Sequence, residues 1–261
     1  MEIVASGYGL PEGPRVDHDG AVWFCDAFGG GVHRLGAGDP APEVVVPDRK
    51  GIGGIALHAD GGVVVSGRDL AHVQSGGDSR TLLAVEGVSG FNDITTDRSG
   101  RVLAGGLRFF PLRGEEPVPG GVWRVGEGPA ELLFEGILWP NGMCFSPDDS
   151  ILYVSDYADA KVLAWDGHDV SEFARVPDGE PDGLTVDSEG GVWVALGNAG
   201  QIARFAPTGK LDERLEVPAE FVSSLCLHGD DLWITAVSEG VGVVLRAEAP
   251  ARGVTVELAR V

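Results

Sequence analysis

Two stretches with the same pattern decide the fold: VDHDGAVWF at residues 16–24 and VDSEGGVWV at residues 186–194. Each runs from Asp through two polar residues to Gly and then into alternating apolar residues, which is typical of a tight turn entering a β-strand. Related turns recur along the chain, separated by 41, 39, 49, 41 and 39 residues. The turn position is occupied in order by Gly20, Gly61, Gly100, Asp149, Gly190 and Gly229.

A repeat of about 40 residues is the length of one propeller blade. Each repeat contains four short strand candidates; the fifth contains GLTVD, VWVALG, QIARFA and DERLEV. The sequence therefore predicts an all-β, six-bladed β-propeller with four-stranded blades, forming a single domain over residues 1–261. The longest interval includes a Pro- and Gly-rich segment at 107–120, which we expect to be a surface loop and which can serve as a lid. Either terminal strand candidate, EIVAS at 2–6 or VTVEL at 254–258, can complete the ring.

Composition excludes several classes of protein. The formal net charge is −21 and no basic cluster offsets it, which argues against nucleic acid and anionic membranes as partners. No apolar run approaches the roughly 20 residues of a spanning helix, and the first residues do not read as a signal peptide. The three cysteines are widely spaced and form no CxxC motif, so we expect small apolar fillers in a cytoplasmic protein. The expected partner is a small-molecule substrate, and the expected state is a monomer or weak homodimer.

One position of each repeat, here called the slot, lies eight residues before the turn position and is expected immediately before the first strand. In the sixth repeat, which is one residue shorter, the slot is found by aligning SSLCLH with DGLTVD. Because the first strands of a propeller line its central channel, we expect the six slots to converge at one mouth of that channel. The slots are Glu12, Gly53, Asn92, Asn141, Asp182 and Ser223.

Converging carboxylate and amide oxygens would repel one another unless a cation lies between them. An all-oxygen set without His or Cys suits a hard divalent ion, so we predict one such ion, Ca²⁺ first, with Mg²⁺, Mn²⁺ or Zn²⁺ as alternatives. Three or four protein ligands leave positions open for water and substrate, which is the layout of a catalytic centre. The structural alternative is that these side chains merely cap backbone N–H groups in turns.

Four stretches carry a resemblance to a known family: LPEGPRVD, FNDITTDRSGR, WPNGMCFSPDDSILYVSD and PDGLTVDSEGGVWVA. Together they resemble the gluconolactonase, senescence marker protein and luciferin-regenerating enzyme family. The resemblance implies a six-bladed propeller with one divalent metal in the channel and, in many members, hydrolysis of sugar-acid lactones. It places the metal ligands at Glu12, Asn141 and Asp182, a residue that contacts water or substrate at Asn92, and the general base at Asp182.

Two positions depart from that family. Sugar-lactone members typically carry Arg two residues before the ND asparagine, where this chain has Gly90, and often carry Trp after EGP, where it has Arg15. Arg108 is our candidate to replace the missing arginine, with Arg68 as a weaker one. Beside it, Phe109, Phe110 and Trp139 are candidates for an apolar substrate wall; the alternative places Arg108 on the surface and the aromatic rings over the core.

Other readings stay open. The same centre can support an acid-base or lyase-type reaction on a non-sugar metabolite, and a propeller can also be a non-enzymatic binding module. The strictosidine synthase-like propellers are a related branch that usually lacks this metal set. No GxSxG motif or phosphate loop is present, and the six histidines show no metal-ligand spacing. Asp26 and Asp156, which follow second strands, are expected to hydrogen-bond loops.

Overall fold

The computed structural model describes residues 1–261 and contains six four-stranded antiparallel sheets, which confirms the predicted six-bladed β-propeller. Blades one to three contain, in order, β2 (Pro11–Val16), β3 (Val22–Asp26), β4 (Val32–Leu35) and β5 (Glu43–Val46); β6 (Ile55–Leu57), β7 (Val63–Val65), β8 (Leu70–Val73) and β9 (Ser79–Leu83); β10 (Gly90–Thr96), β11 (Val102–Leu107), β12 (Gly120–Val125) and β13 (Glu131–Ile137). Blades four to six contain β14 (Pro140–Phe145), β15 (Leu152–Asp156), β16 (Lys161–Trp165) and β17 (Val170–Arg175); β18 (Leu184–Val186), β19 (Val192–Ala195), β20 (Gln201–Phe205) and β21 (Leu211–Glu216); β22 (Phe221–His228), β23 (Asp231–Ser238), β24 (Val241–Glu248) and β1 (Glu2–Tyr8).

The first strands of the blades form the inner ring. β2 contacts β6, β6 contacts β10, and the contacts continue through β14 and β18 to β22, which returns to β2. Residues before the first strands therefore lie at one end of the channel, and the turns after them lie at the other.

The hydrophobic core lies between neighbouring blades. Between blades four and five, for example, Cys144 and Tyr153 pack with Leu184, Val192 and Phe205. All three cysteines are free; Cys25 and Cys144 are buried and Cys226 is half-buried. Burial of this apolar surface, repeated at each blade boundary, is the main stabilising contribution.

The recurring turn position has positive φ in all six blades. The five glycines and the aspartate at the turn position all have positive φ, between 58° at Gly229 and 86° at Gly61, with Asp149 at 64°. Glycine adopts this left-handed conformation without steric cost, and Asp is among the few other residues that tolerate it. The repeat is visible in the sequence because every blade imposes the same backbone requirement.

Aspartate at the start of the turn ties it to the sheet. Asp187 Oδ1 accepts the backbone N–H groups of Glu189 and Gly191 at 2.9 and 2.8 Å, and its Oδ2 accepts Trp193 Nε1 at 2.8 Å. Asp17 makes the equivalent bonds in blade one, including one from Trp23 Nε1 at 2.8 Å. The Asp and Trp of the two fold-deciding stretches are therefore hydrogen-bonded partners.

The N-terminal strand closes the ring. β1 pairs antiparallel with β24 as the outermost strand of blade six. The alternating segment VTVEL instead belongs to a C-terminal stretch that crosses the turn end of the channel: Val254 N donates to Val186 O at 3.0 Å, and Thr96 Oγ1 donates to Glu257 O at 2.5 Å. With β1 on the edge of blade six, this stretch is not part of any blade.

The long interval forms a loop, as expected. After β11 the chain makes a 3₁₀ turn at Pro111–Arg113 and re-enters the sheet at Gly120. The other helical element is the 3₁₀ turn Tyr157–Asp159. Neither helical turn has the length or the apolar character that crossing a membrane requires.

Candidate metal and substrate site

A cavity of about 580 Å³ opens at the slot end of the channel. Five of the six slots line it, and Ser223 does not. The five are Glu12, Gly53, Asn92, Asn141 and Asp182. The structure thus brings together three residues predicted to hold a metal, together with Asn92, from four different blades.

Irregular strand pairing turns the slot residues toward the channel. The register between first and second strands shifts between Glu12 and Arg15, between Phe91 and Ile94, and between Pro140 and Met143. Such irregularities bend a strand and re-aim its side chains. Pro, Gly and Asn around the slots favour this local break in strand pairing, which explains why the motifs PEG, FND and PNG occur at these positions.

Hydrogen bonds link the slots from blade to blade. Asn92 Nδ2 donates to Pro140 O at 3.2 Å, and Gly142 N donates to Asp182 O at 3.1 Å. Ser223 Oγ donates to Pro11 O at 2.6 Å and is fully buried. Ser223 therefore joins blade six to blade one beside Glu12 and takes no part in the cavity.

The carboxyl groups of the site are nearly inaccessible to solvent. Relative exposure is 8% for Glu12, 3% for Asp182 and 3% for Asp93, a residue that the slot alignment did not select. Burial, then the charges of Asp182 and Asp93, raises the pKa of Glu12 well above its usual range. Burial, then the charge of Asp93, raises the pKa of Asp182 well above its usual range, and the Asn141 amide opposes this. Burial raises the pKa of Asp93 to about 6 despite the opposing charge of Arg15.

These residues fit a hard divalent cation. Asp182 Oδ1 is buried and has no hydrogen-bond partner, although a buried carboxylate oxygen normally has one. Glu12 and the Asn141 side chain, which is 7% exposed, add two more oxygen donors at the same mouth. No group of three or more His, Cys, Asp or Glu side chains is arranged to hold a metal. The candidate centre therefore depends on an amide as its third ligand.

Arg15 supplies the one positive charge deep in the channel. Its guanidinium donates to Ile94 O at 3.0 Å and lies 3.9 Å from Asp93 Oδ1, with the side chain 12% exposed. Sequence reasoning noted Arg15 as a family departure and missed Asp93 altogether. A usable signal existed for Asp93: it directly follows a slot inside a register break, where strict alternation of inward and outward side chains fails.

An aromatic wall borders the carboxyl groups. The Phe109 ring is buried and meets Trp139 edge to face at 5.3 Å between ring centroids, and Trp139 lies 4.7 Å from Tyr157. All three rings line the cavity, as does Phe110. The structure thus places Phe109 and Trp139, which the sequence suggested as substrate contacts, beside the candidate metal ligands.

Arg108 lies elsewhere. Its guanidinium donates to Glu135 Oε1 at 2.6 Å, and the residue is not among those lining the cavity. Position 108 follows the end of β11, where the side chain turns toward the outer strand β13 that carries Glu135. Arg68, the weaker candidate, does line the cavity.

Asp26 and Asp156 hold loops, as expected. Asp26 accepts backbone N–H groups of Gly9 and Leu10, each at 2.9 Å. Asp156 accepts those of Leu138 and Trp139 at 3.2 and 3.0 Å. Each carboxylate thereby fixes the segment that enters a slot, Glu12 in one case and Asn141 in the other.

Comparison with known proteins identifies a matching family model and several relatives. A family model described as SMP-30/Gluconolactonase/LRE-like region matches residues 10–238. The chain is 27% identical over 251 residues to a 6-deoxy-6-sulfogluconolactonase of Pseudomonas putida, covering 89% of this chain and 84% of the relative. It is 28% identical over 249 residues to the pentonolactonase XacC of Haloferax volcanii, covering 88% and 81%. The solved structure of a luciferin-regenerating enzyme superposes with a TM-score of 0.85 at 22% identity, covering 98% of this chain and 99% of the other.

Proposed function

Because this chain belongs to the SMP-30/gluconolactonase/LRE-like family, a family with lactone hydrolases among its members, we propose that it is a divalent-metal-dependent lactonase. The proposed metal ligands are Glu12, Asn141 and Asp182, the proposed substrate contacts are Asn92, Phe109 and Trp139, and the proposed general base is Asp182. Ca²⁺ is the ion that an all-oxygen set of two carboxylates and one amide suits best.

The observation that carries the proposal is the unpartnered Oδ1 of Asp182, buried in the same cavity as Glu12 and Asn141. A fold that gained nothing from these charges would replace them, since buried carboxyls without partners are costly. Perturbed carboxyl groups in a cleft are also the usual mark of a functional site.

Bound among these residues, a divalent cation would act as a Lewis acid toward a carbonyl oxygen and toward water. The chain's own residues account for the remaining requirements. Asn92 directs its Nδ2 to Pro140 O, which leaves its carbonyl oxygen free to face the cavity. The rings of Phe109 and Trp139 exclude bulk water from one side of the reacting carbonyl.

Hydrolysis moves one proton from the attacking water to the ring oxygen of the lactone. Water adds to the carbonyl carbon while the ring C–O bond breaks, and the departing ring oxygen takes up a proton. Asp182 accepts the proton from the attacking water and supplies it to the ring oxygen, giving a hydroxy acid. General-base catalysis of this kind contributes about 10²- to 10⁴-fold to the rate.

The proposal is tested with protein freed of metal by chelation and gel filtration. Binding of Ca²⁺, Mg²⁺, Mn²⁺ and Zn²⁺ is measured by calorimetry, and hydrolysis of a lactone panel is followed by acid release with each ion restored. Glu12→Gln should weaken cation binding and turnover together. Ser223→Ala is the matched control, because Ser223 occupies a slot but lies outside the cavity.

Two results would contradict the proposal, one the metal centre and the other the general base. If the wild-type protein bound no divalent ion, the slot residues would be structural and the protein a binding module. If Asp182→Asn kept both cation affinity and full turnover, the general-base assignment would be wrong although the metal centre stood. Cation binding without hydrolysis of any lactone would favour the acid-base or lyase-type alternative.

A further inference from the structure

The walls of the cavity are poorly suited to a sugar. Apart from the candidate metal ligands and Asn92, aromatic and aliphatic side chains dominate the lining, including Phe28, Phe91, Phe109, Phe110, Trp139 and Phe221. A sugar lactone carries several hydroxyl groups, each of which needs a hydrogen-bond partner when it leaves water. Sites built for such substrates therefore present polar groups to them.

The few other polar groups near the wall are engaged within the protein. Ser89 Oγ contacts Leu107 O and Phe109 O at 3.0 and 2.5 Å. The backbone N–H groups of Gly51 and Gly67 donate to carbonyl oxygens of the protein at 2.8 and 3.0 Å. Apart from the Tyr157 hydroxyl and three cationic side chains at the rim, little is left to receive a polyhydroxylated ring.

Apolar side chains also stand exposed at the rim. Phe28 is 49% exposed, Phe110 40% and Leu112 80%, and all three line this cavity. Exposed apolar groups gathered at one opening mark a surface that a ligand covers. The body of the ligand that fits this opening is therefore apolar.

The rim is positively charged on a protein that is strongly negative. The chain has 40 acidic and 19 basic residues, yet the only acidic residues lining the cavity are Glu12 and Asp182. Three basic residues line it as well: Lys50, Arg68 and Arg113.

These rim cations are not neutralised by the protein. Lys50 and Arg113 form no salt bridge; Arg113 lies over the Phe110 ring, with Cζ 4.0 Å from the ring centroid. Arg68 reaches Asp69 only at 3.8 Å, and that carboxylate is already paired with Arg49 at 2.6 Å. Exposed, unpaired cations beside an apolar opening attract an anionic group on the ligand.

We propose that the substrate is an amphipathic lactone, with an aromatic or alkyl body on the Phe109–Trp139 wall and a carboxylate at the Lys50, Arg68 and Arg113 rim. This inference rests on the proposed lactonase function in one respect, namely that the substrate is a lactone. The apolar body and the anionic group follow from the cavity alone, so they are measured by binding as well as by turnover.

The probes are two pairs that are matched in size and differ in charge, and one sugar pair. Phthalide-5-carboxylate and phthalide-5-carboxamide are lactones of equal size that differ in charge; the corresponding isoindolinones are lactams that bind without ready hydrolysis. D-Glucono-1,5-lactone and its lactam represent the sugar class. Turnover is measured on the lactones, and binding of the lactams is measured by calorimetry with Ca²⁺ present.

The expected result is a preference of about tenfold for the carboxylate over the carboxamide, since each exposed charge pair contributes about two- to fivefold. Lys50→Gln combined with Arg113→Gln should reduce that preference to about twofold. Lys210→Gln, which removes another exposed cation that forms no salt bridge and lies away from the cavity, should leave it unchanged. The isoindolinone carboxylate should bind at least tenfold more tightly than the sugar lactam.

The outcomes separate the two proposals. Equal binding of carboxylate and carboxamide, or tighter binding of the sugar lactam, would overturn the amphipathic substrate, whether or not the protein is a lactonase. Charge-selective binding of the isoindolinone without hydrolysis of any lactone would support the amphipathic ligand and refute the lactonase. Charge-selective turnover that Lys50→Gln with Arg113→Gln left intact would also overturn the role of the rim.

Discussion

Metal-free protein should lose stability as the pH rises from about 4 to about 7. Three carboxyl groups, those of Glu12, Asp93 and Asp182, are buried near one another, and burial is the largest cause of the raised pKa of each. A folded state that binds such protons more tightly than the unfolded chain is favoured at low pH and loses that advantage as rising pH strips the protons from the unfolded chain. Ionising these groups inside the channel therefore destabilises the folded state.

The magnitude can be worked for Asp93. Its pKa rises from 3.8 to about 6, and one pH unit corresponds to 1.36 kcal/mol, so the shift is worth about 3 kcal/mol. Because the folded-state pKa is the higher one, this contribution is fully present below pH 3.8 and is lost as the pH passes through about 6. Glu12 and Asp182 change in the same direction, so the total loss exceeds that of Asp93 alone.

The assay is urea unfolding of metal-free protein at intervals from pH 4 to pH 8, for the wild type and Asp93→Asn. We expect the wild-type free energy of unfolding to fall by at least about 3 kcal/mol over that range, and the fall to be about 3 kcal/mol smaller in Asp93→Asn. The readout is the change of the free energy of unfolding with pH. Its absolute value is not compared, because the substitution also leaves Arg15 without its nearest carboxylate. Ca²⁺ at a hundred times its Kd should restore about 2.7 kcal/mol at pH 8.

Asp148→Asn is the matched control. Hydrogen bonds from Ser150 and Ser146 lower the pKa of this exposed turn residue to about 2, so its contribution is lost only as the pH falls below about 4. Asp148→Asn should therefore leave the pH dependence of the free energy of unfolding above pH 5 unchanged. A flat wild-type profile, or the same slope in Asp93→Asn as in the wild type, would refute the reasoning that the channel stores unfavourable charge.

Three further substitutions test individual contacts. Asp187→Ala should lower the free energy of unfolding by about 3–5 kcal/mol in urea, because Trp193 Nε1 and the Arg204 guanidinium both lose a buried acceptor; a loss under 1 kcal/mol would contradict this. Ser223→Ala should cost about 1 kcal/mol and leave Ca²⁺ affinity unchanged by calorimetry, and a weakened affinity would show that this slot reaches the centre after all. Gly142→Ala should lower both stability and cation affinity, since an added Cβ would overlap Leu184 N beside Asp182; unchanged affinity would mean that the backbone moves without disturbing the ligands.

The sequence predicted what the repeats share. The turn position has positive φ in every blade, so its spacing reveals the number of blades, and a fixed offset from it finds the channel mouth. The four slots with polar side chains from Glu12 to Asp182 line one cavity because the fold, and not their neighbours in sequence, brings them together. Long-range periodicity was sufficient for this part of the prediction.

What the sequence could not predict depends on local departures from regular pairing and on partners distant in the chain. Asp93 lies within a register break, where alternation no longer tells which side chains face inward. The pairing of Arg108 with Glu135 joins residues 27 apart through the order of strands in blade three. The segment 254–258 alternates like a strand, but β1 already occupies the outer edge of blade six.

The two slots that contribute no side chain to the proposed site explain how a sixfold repeat becomes an asymmetric site. A Cβ at Gly53 would overlap Asn92 Oδ1, so glycine in the second slot makes room for the amide of the third. Ser223 in the sixth slot bonds to Pro11 O and so joins blade six to blade one outside the cavity. The chemistry of this cavity arises where the repeats differ, while the fold arises where they agree.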